Sequence, residues 1–255
     1  MTVNVRSTSL LLPVAVCAAL SACAMVDSRR QPTLTTQARL QVAAAADASG
    51  NNDLAISMYT EAAANEPGNV ELQLRCADAL TRAGKIDEAR QLLSARLRTN
   101  PRQPELMRAL ALVDLVAGQP TQAIERFDQL LAADPRDVRA LVDKAVALDL
   151  QGRHAAAQAI YQQVLTTSPD NAAARNNLAV SLMLEGRTRQ ALETLAPMQD
   201  ADGSPPRLKV NLGLLYAVTG DSEQSRRLLG DRLSDGDLAA WTRALSSAAD
   251  DRTRP

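Results

Sequence analysis

Few residues in this sequence are of types that carry out chemistry. The chain contains three cysteines, Cys17, Cys23 and Cys76, and a single histidine, His154. A thiolate can act as a nucleophile or a metal ligand, but these four residues show neither metal-ligand spacing nor a nucleophile–base arrangement. The histidine follows a Gly-Arg pair, so we expect a solvated residue at the start of a helix. The sequence therefore predicts neither an enzyme nor a metal or cofactor site.

Cys23 follows an apolar leader that carries one charge. The leader's apolar run is about 13 residues long, short of the roughly 20 that a membrane-spanning helix needs. A charged start, a short apolar run and small residues before a cleavage point are typical of a secretory signal. The tetrapeptide LSAC, which ends at Cys23, resembles the lipobox of bacterial lipoproteins. This resemblance implies that residues 1–22 are a signal peptide and that Cys23 carries covalent lipid. The alternative is an ordinary secreted protein with a cysteine near its cleavage site.

The lipoprotein resemblance also implies a location. An aspartate after the lipidated cysteine tends to retain such proteins in the inner membrane, whereas this sequence has Ala24. We therefore expect a lipid anchor in the outer membrane, on its periplasmic face, with residues 23–35 as a lipidated flexible tether. Removal of Cys17 and acylation of Cys23 would leave Cys76 without a partner, so we expect no internal disulfide.

Composition narrows the class of protein further. Hydrophobic residues make up 46% of the chain and aromatic residues only 2%. Abundant alanine, with leucine, glutamate and arginine, favours helix. A formal net charge of −1 argues against a broad basic surface for nucleic acid, and the sequence has no glycine-rich phosphate loop. We expect neither nucleic acid nor a small-molecule substrate as a ligand.

A 34-residue period organises most of the chain. It is set by six glycines: Gly50, Gly84, Gly118, Gly152, Gly186 and Gly220. A small residue stands seven before and five after each glycine, a large apolar residue nine after, and a proline seventeen after the first four. Glycine can end one helix, small residues let two helices approach, and proline ends the second helix. The period and these columns resemble the tetratricopeptide repeat. The resemblance implies an all-α solenoid of about six helix-turn-helix repeats over residues 36–239, with a C-terminal capping helix.

The period also predicts where individual elements lie. First helices are expected near residues 70–83, 104–117, 138–151, 172–185 and 206–219. Residues 237–248 are expected to form the capping helix, with Trp241 and Leu245 on one face, and residues 249–255 a disordered tail. Pro197 should end the second helix of the fifth repeat early. The stretch from there to Pro206 is either a long turn or a flexible joint or contact loop.

The repeat resemblance implies a concave face lined by the first helices. Residues ten, six and three before each glycine should point into it. Nine before the glycine, Asn177 and Asn211 recur, and an amide offers donors and an acceptor to a peptide backbone. Any one of these residues could instead pack between helices. The predicted partner-binding residues are Arg108, Leu112, Leu115, Val142, Val146, Asp149, Asn176, Asn177, Val180, Met183, Val210, Asn211 and Leu214.

The C-terminal half supports a narrower resemblance. The segments NNLAVSLMLEGRTRQALETLAP and LAAWTRAL resemble the TadD-like repeat lipoproteins of the tight-adherence (Flp) pilus system. This implies a non-catalytic, pilotin-like scaffold without a cofactor beyond the lipid, whose partner is an outer-membrane secretin or another pilus assembly protein. The alternatives are a pilotin-like lipoprotein of another type IV pilus or type II secretion system, and an accessory regulator of periplasmic cell-wall enzymes.

Overall fold

The computed structural model describes residues 34–199 and 205–230, together with the single positions 234, 236, 239, 240 and 243. Within these residues the chain is helical and contains no strand. The helices are α1 (Thr36–Ala48), α2 (Asn52–Asn65), α3 (Val70–Arg82), α4 (Ile86–Thr99), α5 (Pro104–Val116), α6 (Pro120–Ala133), α7 (Val138–Leu150), α8 (His154–Thr167), α9 (Ala172–Leu184), α10 (Thr188–Leu195), α11 (Pro206–Val218) and α12 (Ser222–Leu229). They form six consecutive pairs.

The six glycines of the period make the turn inside each pair. Their φ angles lie between 71° and 90°, in the left-handed region where a Cβ atom would be strained. At Gly152 the backbone N–H donates to the carbonyl of Asp149, and the next N–H, of Arg153, reaches back to Leu148, both at 2.9 Å. These bonds satisfy carbonyls that would otherwise be left at the end of α7. From α3 onward the first helices begin at the predicted residues, and this turn ends each of them where the period places it.

Side-chain caps and prolines set the other helix ends. Asn171 caps α9 by accepting a hydrogen bond from the N–H of Ala174, and Asp137 caps α7 in the same way. The helices α2, α4, α6 and α8 each end two residues before a proline of the period. The residue before a proline is restricted to extended backbone, so the helix cannot continue.

The second helix of the fifth pair is shorter than those of the first four pairs, which have 14 residues each. The helix α10 has 8 residues and passes into a short 3-10 helix, Ala196–Met198, that contains Pro197. The prediction of an early end at this proline is confirmed, because a proline inside a helix removes a backbone hydrogen bond.

Small residues of the period lie where helices touch. Ala111, Ala145 and Ala179 are completely buried, as are the large side chains of Phe127 and Tyr161 from the second helices. Small and large residues alternate across the contacts, so the side chains of adjacent helices interdigitate. The predicted all-α repeat solenoid is therefore confirmed.

Several predictions concern residues outside those that the structure describes. They are the signal peptide over 1–22, lipidation of Cys23, the tether up to residue 33, the faces of Trp241 and Leu245 in the cap, and the disordered tail over 249–255. Among the described helices, none is both long and apolar enough to cross a membrane. Cys76 is buried, and burial raises the pKa of its thiol.

Candidate partner-binding groove

The first helices form the inner side of the solenoid. From α3 to α11, each first helix packs against the first helix of the next pair, more closely than the second helices pack against each other. A stack that is closer on one side curves toward that side. The predicted assignment of the first helices to the concave face agrees with this packing.

Two adjoining cavities lie on this inner face between the third and sixth units. The first, which we call the arginine subsite, has a volume of about 450 Å³. The second, the apolar subsite, has a volume of about 180 Å³. Val146 and Asn177 line both cavities, so the two form one continuous groove.

The apolar subsite is formed by side chains of α7 and α9. Val146 and Leu150 come from α7, and Val180 and Leu184 from α9. Leu150 is 60% exposed and Leu184 is 43% exposed, which is unusual for large apolar side chains that occupy equivalent positions in two repeats. Exposed apolar groups that adjoin one another mark binding surfaces more often than isolated ones do.

Sequence reasoning missed Leu150 and Leu184. Both stand two residues before a glycine of the period, a column that was not assigned to the groove. The signal was present in the sequence, because Val116 and Val218 occupy the same column in the neighbouring units.

A network of polar side chains adjoins the apolar subsite. The Asp149 carboxylate accepts hydrogen bonds from the hydroxyls of Tyr161 at 3.1 Å and Ser181 at 2.6 Å. The ring Nδ1 of His154 lies 2.8 Å from the same carboxylate. This network joins α7, α8 and α9 and holds Asp149 in place. Burial and the neighbouring carboxylate raise the pKa of the Tyr161 hydroxyl.

The environment of His154 differs from the prediction. It is the first residue of α8, as expected, but its side chain is only 13% exposed. The prediction of a solvated side chain is wrong, because the Asp149 carboxylate draws the ring against the end of α7.

The arginine subsite carries an excess of positive charge. Its lining includes Arg108, Arg139 and Arg207 but only one carboxylate, that of Asp143. Arg108 Nε lies 2.6 Å from Asp143 Oδ2 and thereby links α5 to α7. Burial raises the pKa of Asp143, and the Arg108 guanidinium opposes that rise. Within the described part of the chain, neither Arg139 nor Arg207 makes an ion pair with a carboxylate. The charge of Arg139 also opposes the rise in the pKa of Asp143.

A chain of three amides crosses from α11 to α9. Asn211 Nδ2 donates to Asn176 Oδ1 at 2.8 Å, and Asn176 Nδ2 donates to Asn177 Oδ1 at 3.2 Å. These bonds occupy the Asn177 oxygen, and its NH₂ group has no partner among the described residues. Because Asn177 lines both cavities, the groove presents an amide donor between its two subsites.

The structure brings about half of the predicted partner-binding residues together. Those that line the groove or the adjoining 470 Å³ cavity beside Arg108 are Arg108, Leu112, Val142, Val146, Asp149, Asn177 and Val180. Three others, Asn176, Met183 and Leu214, are only 4–8% exposed. Asn176 is held by the amide chain, and Met183 packs in the core around α9. Leu115, Val210 and Asn211 are half-buried and line neither subsite.

Comparison with known protein families gives matches over most of the repeat region. Three family profiles, each described as tetratricopeptide repeat, match the sequence. The first matches residues 48–113 and 150–212, the second 108–172 and the third 206–231. No curated protein matches the sequence.

Solved structures show the same fold at low sequence identity. A tetratricopeptide repeat protein from Parabacteroides merdae is 15% identical, with a TM-score of 0.68 over 85% of this chain and 86% of that one. PilW, a widely conserved type IV pilus biogenesis factor, is 18% identical, with a TM-score of 0.63 over 80% and 97%. A thermophilic repeat protein from Thermus thermophilus is 21% identical, with a TM-score of 0.56 over 69% and 98%. At these identities the likeness concerns the fold alone.

Proposed function

This chain belongs to the tetratricopeptide repeat family, and from that premise we propose that it is a lipid-anchored periplasmic scaffold for pilus assembly. In this proposal its inner groove binds a segment of an outer-membrane secretin or of another component of a Flp-type pilus. Cys23 carries the lipid, and the outer membrane is the site of action.

The groove is the observation that carries the proposal. It joins an apolar subsite, the NH₂ group of Asn177 and the guanidinium groups of Arg139 and Arg207 on one face. A peptide segment offers matching groups: apolar side chains, backbone carbonyls and charged side chains. The inter-helix core is already filled by other residues, so the exposed leucines are not needed for folding. Their exposure is explained if a partner covers them.

The pilus assignment has separate support. The resemblance to TadD-like lipoproteins lies in the C-terminal repeats, and the lipobox-like tetrapeptide ends at Cys23. PilW, a pilus biogenesis factor, has the same repeat fold. The test therefore scores both partner binding and the formation of pili.

The test uses the double variant Leu150→Asp, Leu184→Asp. Both side chains are exposed, so the helices should remain folded, while two carboxylates would enter the apolar subsite. Loss of a central apolar anchor typically costs 2 kcal/mol or more, about thirtyfold in affinity. We expect that the variant no longer recovers the secretin in a pull-down from membranes, and that cells carrying it lack surface pili.

The control is Val116→Asp. Val116 is 61% exposed and stands in the same column of the period, but it lines neither subsite. This variant should recover the secretin and support pili like the parent protein. If the double variant is folded and still does both, the groove does not bind the partner.

A further inference from the structure

The two subsites lie at opposite ends of the same first helices. Arg139 and Arg207 each stand thirteen residues before a glycine of the period, near the start of α7 and α11. Leu150 and Leu184 each stand two residues before a glycine, at the end of α7 and α9. A ligand that contacts both subsites must therefore run along the helices as well as across them.

The cationic end has room for a ligand group. Ala173 occupies the position between Arg139 and Arg207 in the period, and it lines the same cavity. Its side chain is a single methyl group and so adds little bulk to the wall that it shares with the two arginines. The one carboxylate of this cavity, that of Asp143, is already paired with Arg108. Guanidinium groups bind carboxylates through paired hydrogen bonds, so the complementary ligand is an acidic side chain.

The distance between the subsites sets a spacing on the ligand. From Arg139 to the middle of the Val146–Leu150 segment is nine residues of helix, or about 14 Å at 1.5 Å per residue. An extended peptide covers about 3.3 Å per residue, so about four residues span the same distance. The free NH₂ of Asn177 lies on the shared wall and can donate to a backbone carbonyl on the way.

We infer that the groove selects an extended partner segment with an acidic side chain about four residues from one large apolar side chain. The acidic group binds between Arg139 and Arg207, and the apolar side chain fills the 180 Å³ subsite. This inference rests on the proposed function and specifies the chemistry of the partner.

The experiment selects ligands from a library of random twelve-residue peptides displayed on phage. The target is the full chain, and three variants are selected against in parallel. They are the arginine variant, which combines Arg139→Glu and Arg207→Glu, the leucine variant, which combines Leu150→Asp and Leu184→Asp, and the single variant Val116→Asp. We expect the parent and Val116→Asp to enrich Asp or Glu about four positions from a large apolar residue. The arginine variant should lose the acidic preference, and the leucine variant should lose the apolar one.

The possible failures separate the inference from the proposed function. If apolar residues are enriched without an acidic residue at fixed spacing, or if the arginine variant selects the same peptides, the inference is wrong while groove binding stands. If no peptide family is enriched on the parent chain, both fail. All variants change exposed side chains, and circular dichroism would verify that they keep their helices.

A binding measurement on the best selected peptide completes the test. Replacing its acidic residue by the amide, or Arg139 by Gln, should each weaken binding about fivefold in fluorescence anisotropy, which corresponds to an exposed ion pair near 1 kcal/mol. Combining the two changes should weaken binding little further, because the second removes a contact already lost. Additive losses, or no loss with Arg139→Gln, would contradict the inference.

Discussion

At the scale of single residues, Asp47 links the first two units of the solenoid. Its Oδ2 accepts hydrogen bonds from Arg82 of α3 at 2.9 Å and from the Tyr59 hydroxyl of α2 at 3.0 Å. The Arg82 hydrogen bond lowers the pKa of Asp47 below its ordinary value of 3.8, although burial opposes the change. The folded protein therefore holds this carboxylate in its charged form more strongly than the unfolded chain does.

The lowered pKa of Asp47 predicts a pH dependence of stability. A carboxyl whose pKa is lowered on folding stabilises the protein above its unfolded pKa, and this contribution is lost as the pH falls through the folded pKa. Asp47→Asn should therefore lower the thermal midpoint at pH 7, and the difference from the parent should shrink below about pH 4. Thermal unfolding followed by circular dichroism from pH 7 to pH 2 measures this.

A matched control exists for the Asp47 variant. Asp53 also pairs with a basic residue of the next unit, Lys85, but its side chain is 90% exposed. Solvent-exposed pairs contribute little to stability, so Asp53→Asn should leave the midpoint nearly unchanged at every pH. Equal effects of the two variants would show that the Asp47 contacts do not stabilise the fold.

At the scale of elements, the contact between α11 and α12 depends on one glycine. Gly213 occupies a column in which the other five units have alanine. A Cβ atom at this position would lie 2.6 Å from Leu229 Cγ of α12, well inside contact distance. We expect Gly213→Ala to lower the free energy of unfolding by about 1–3 kcal/mol, the usual cost of overpacking, measured by urea unfolding.

Gly68→Ala is the control for this prediction. A Cβ atom there meets no atom within 4 Å, and the backbone is not left-handed. The control should be neutral or slightly stabilising, because alanine restricts the unfolded chain more than glycine does. A neutral Gly213→Ala would mean that α12 moves freely relative to α11.

The helices of this protein were predictable because their end signals act over a few residues. The glycine that ends α7 and the proline that follows α8 impose their backbone geometry locally, so the 34-residue period located both. The side chains that line the groove, and their hydrogen bonds, were only partly predictable. The amide chain from Asn211 to Asn177 depends on how α11 is oriented against α9, which the period does not specify.

Some residues predicted to line the groove are buried instead, and this outcome also depends on how the helices are oriented against each other. Met183 and Asp149 occupy equivalent positions, three before a glycine, yet Asp149 lines the apolar subsite while Met183 packs in the core. A side chain at the border between the groove and the core can lie in either of them. The side chain and its neighbours decide, because an apolar side chain gains free energy by leaving water.

At the scale of the whole molecule, the groove combines residues of four units. Its lining runs from Arg108 on α5 to Arg207 on α11. In a solenoid each unit contacts only its neighbours, so the relative positions of these residues depend on every interface between them. The Arg108–Asp143 ion pair lies in the groove and the Asn211–Asn176 hydrogen bond lies next to it, and each bridges consecutive first helices. The same contacts that shape the binding surface therefore also hold its units in register.

The proposed anchor places this groove at a membrane. Thr36 lies thirteen positions after Cys23, and a chain of that length spans at most about 45 Å. Confinement to a thin layer raises the effective concentration of the groove toward a membrane-embedded partner without any new contact. Each buried methylene contributes about 0.8 kcal/mol of membrane affinity, so two or three acyl chains would hold the protein firmly.

Cys23→Ser separates this anchoring from binding. We expect the variant to lose labelling by a fatty-acid probe, to fractionate as a soluble periplasmic protein, and to assemble fewer pili. Its affinity for the selected peptide should be unchanged in solution, because Cys23 is remote in sequence from the groove residues. The Leu150→Asp, Leu184→Asp variant should do the reverse, keeping its lipid and its membrane fraction while losing the partner. If the serine variant is labelled and fractionates like the parent, Cys23 is not the anchor, and the groove would have to find its partner without one.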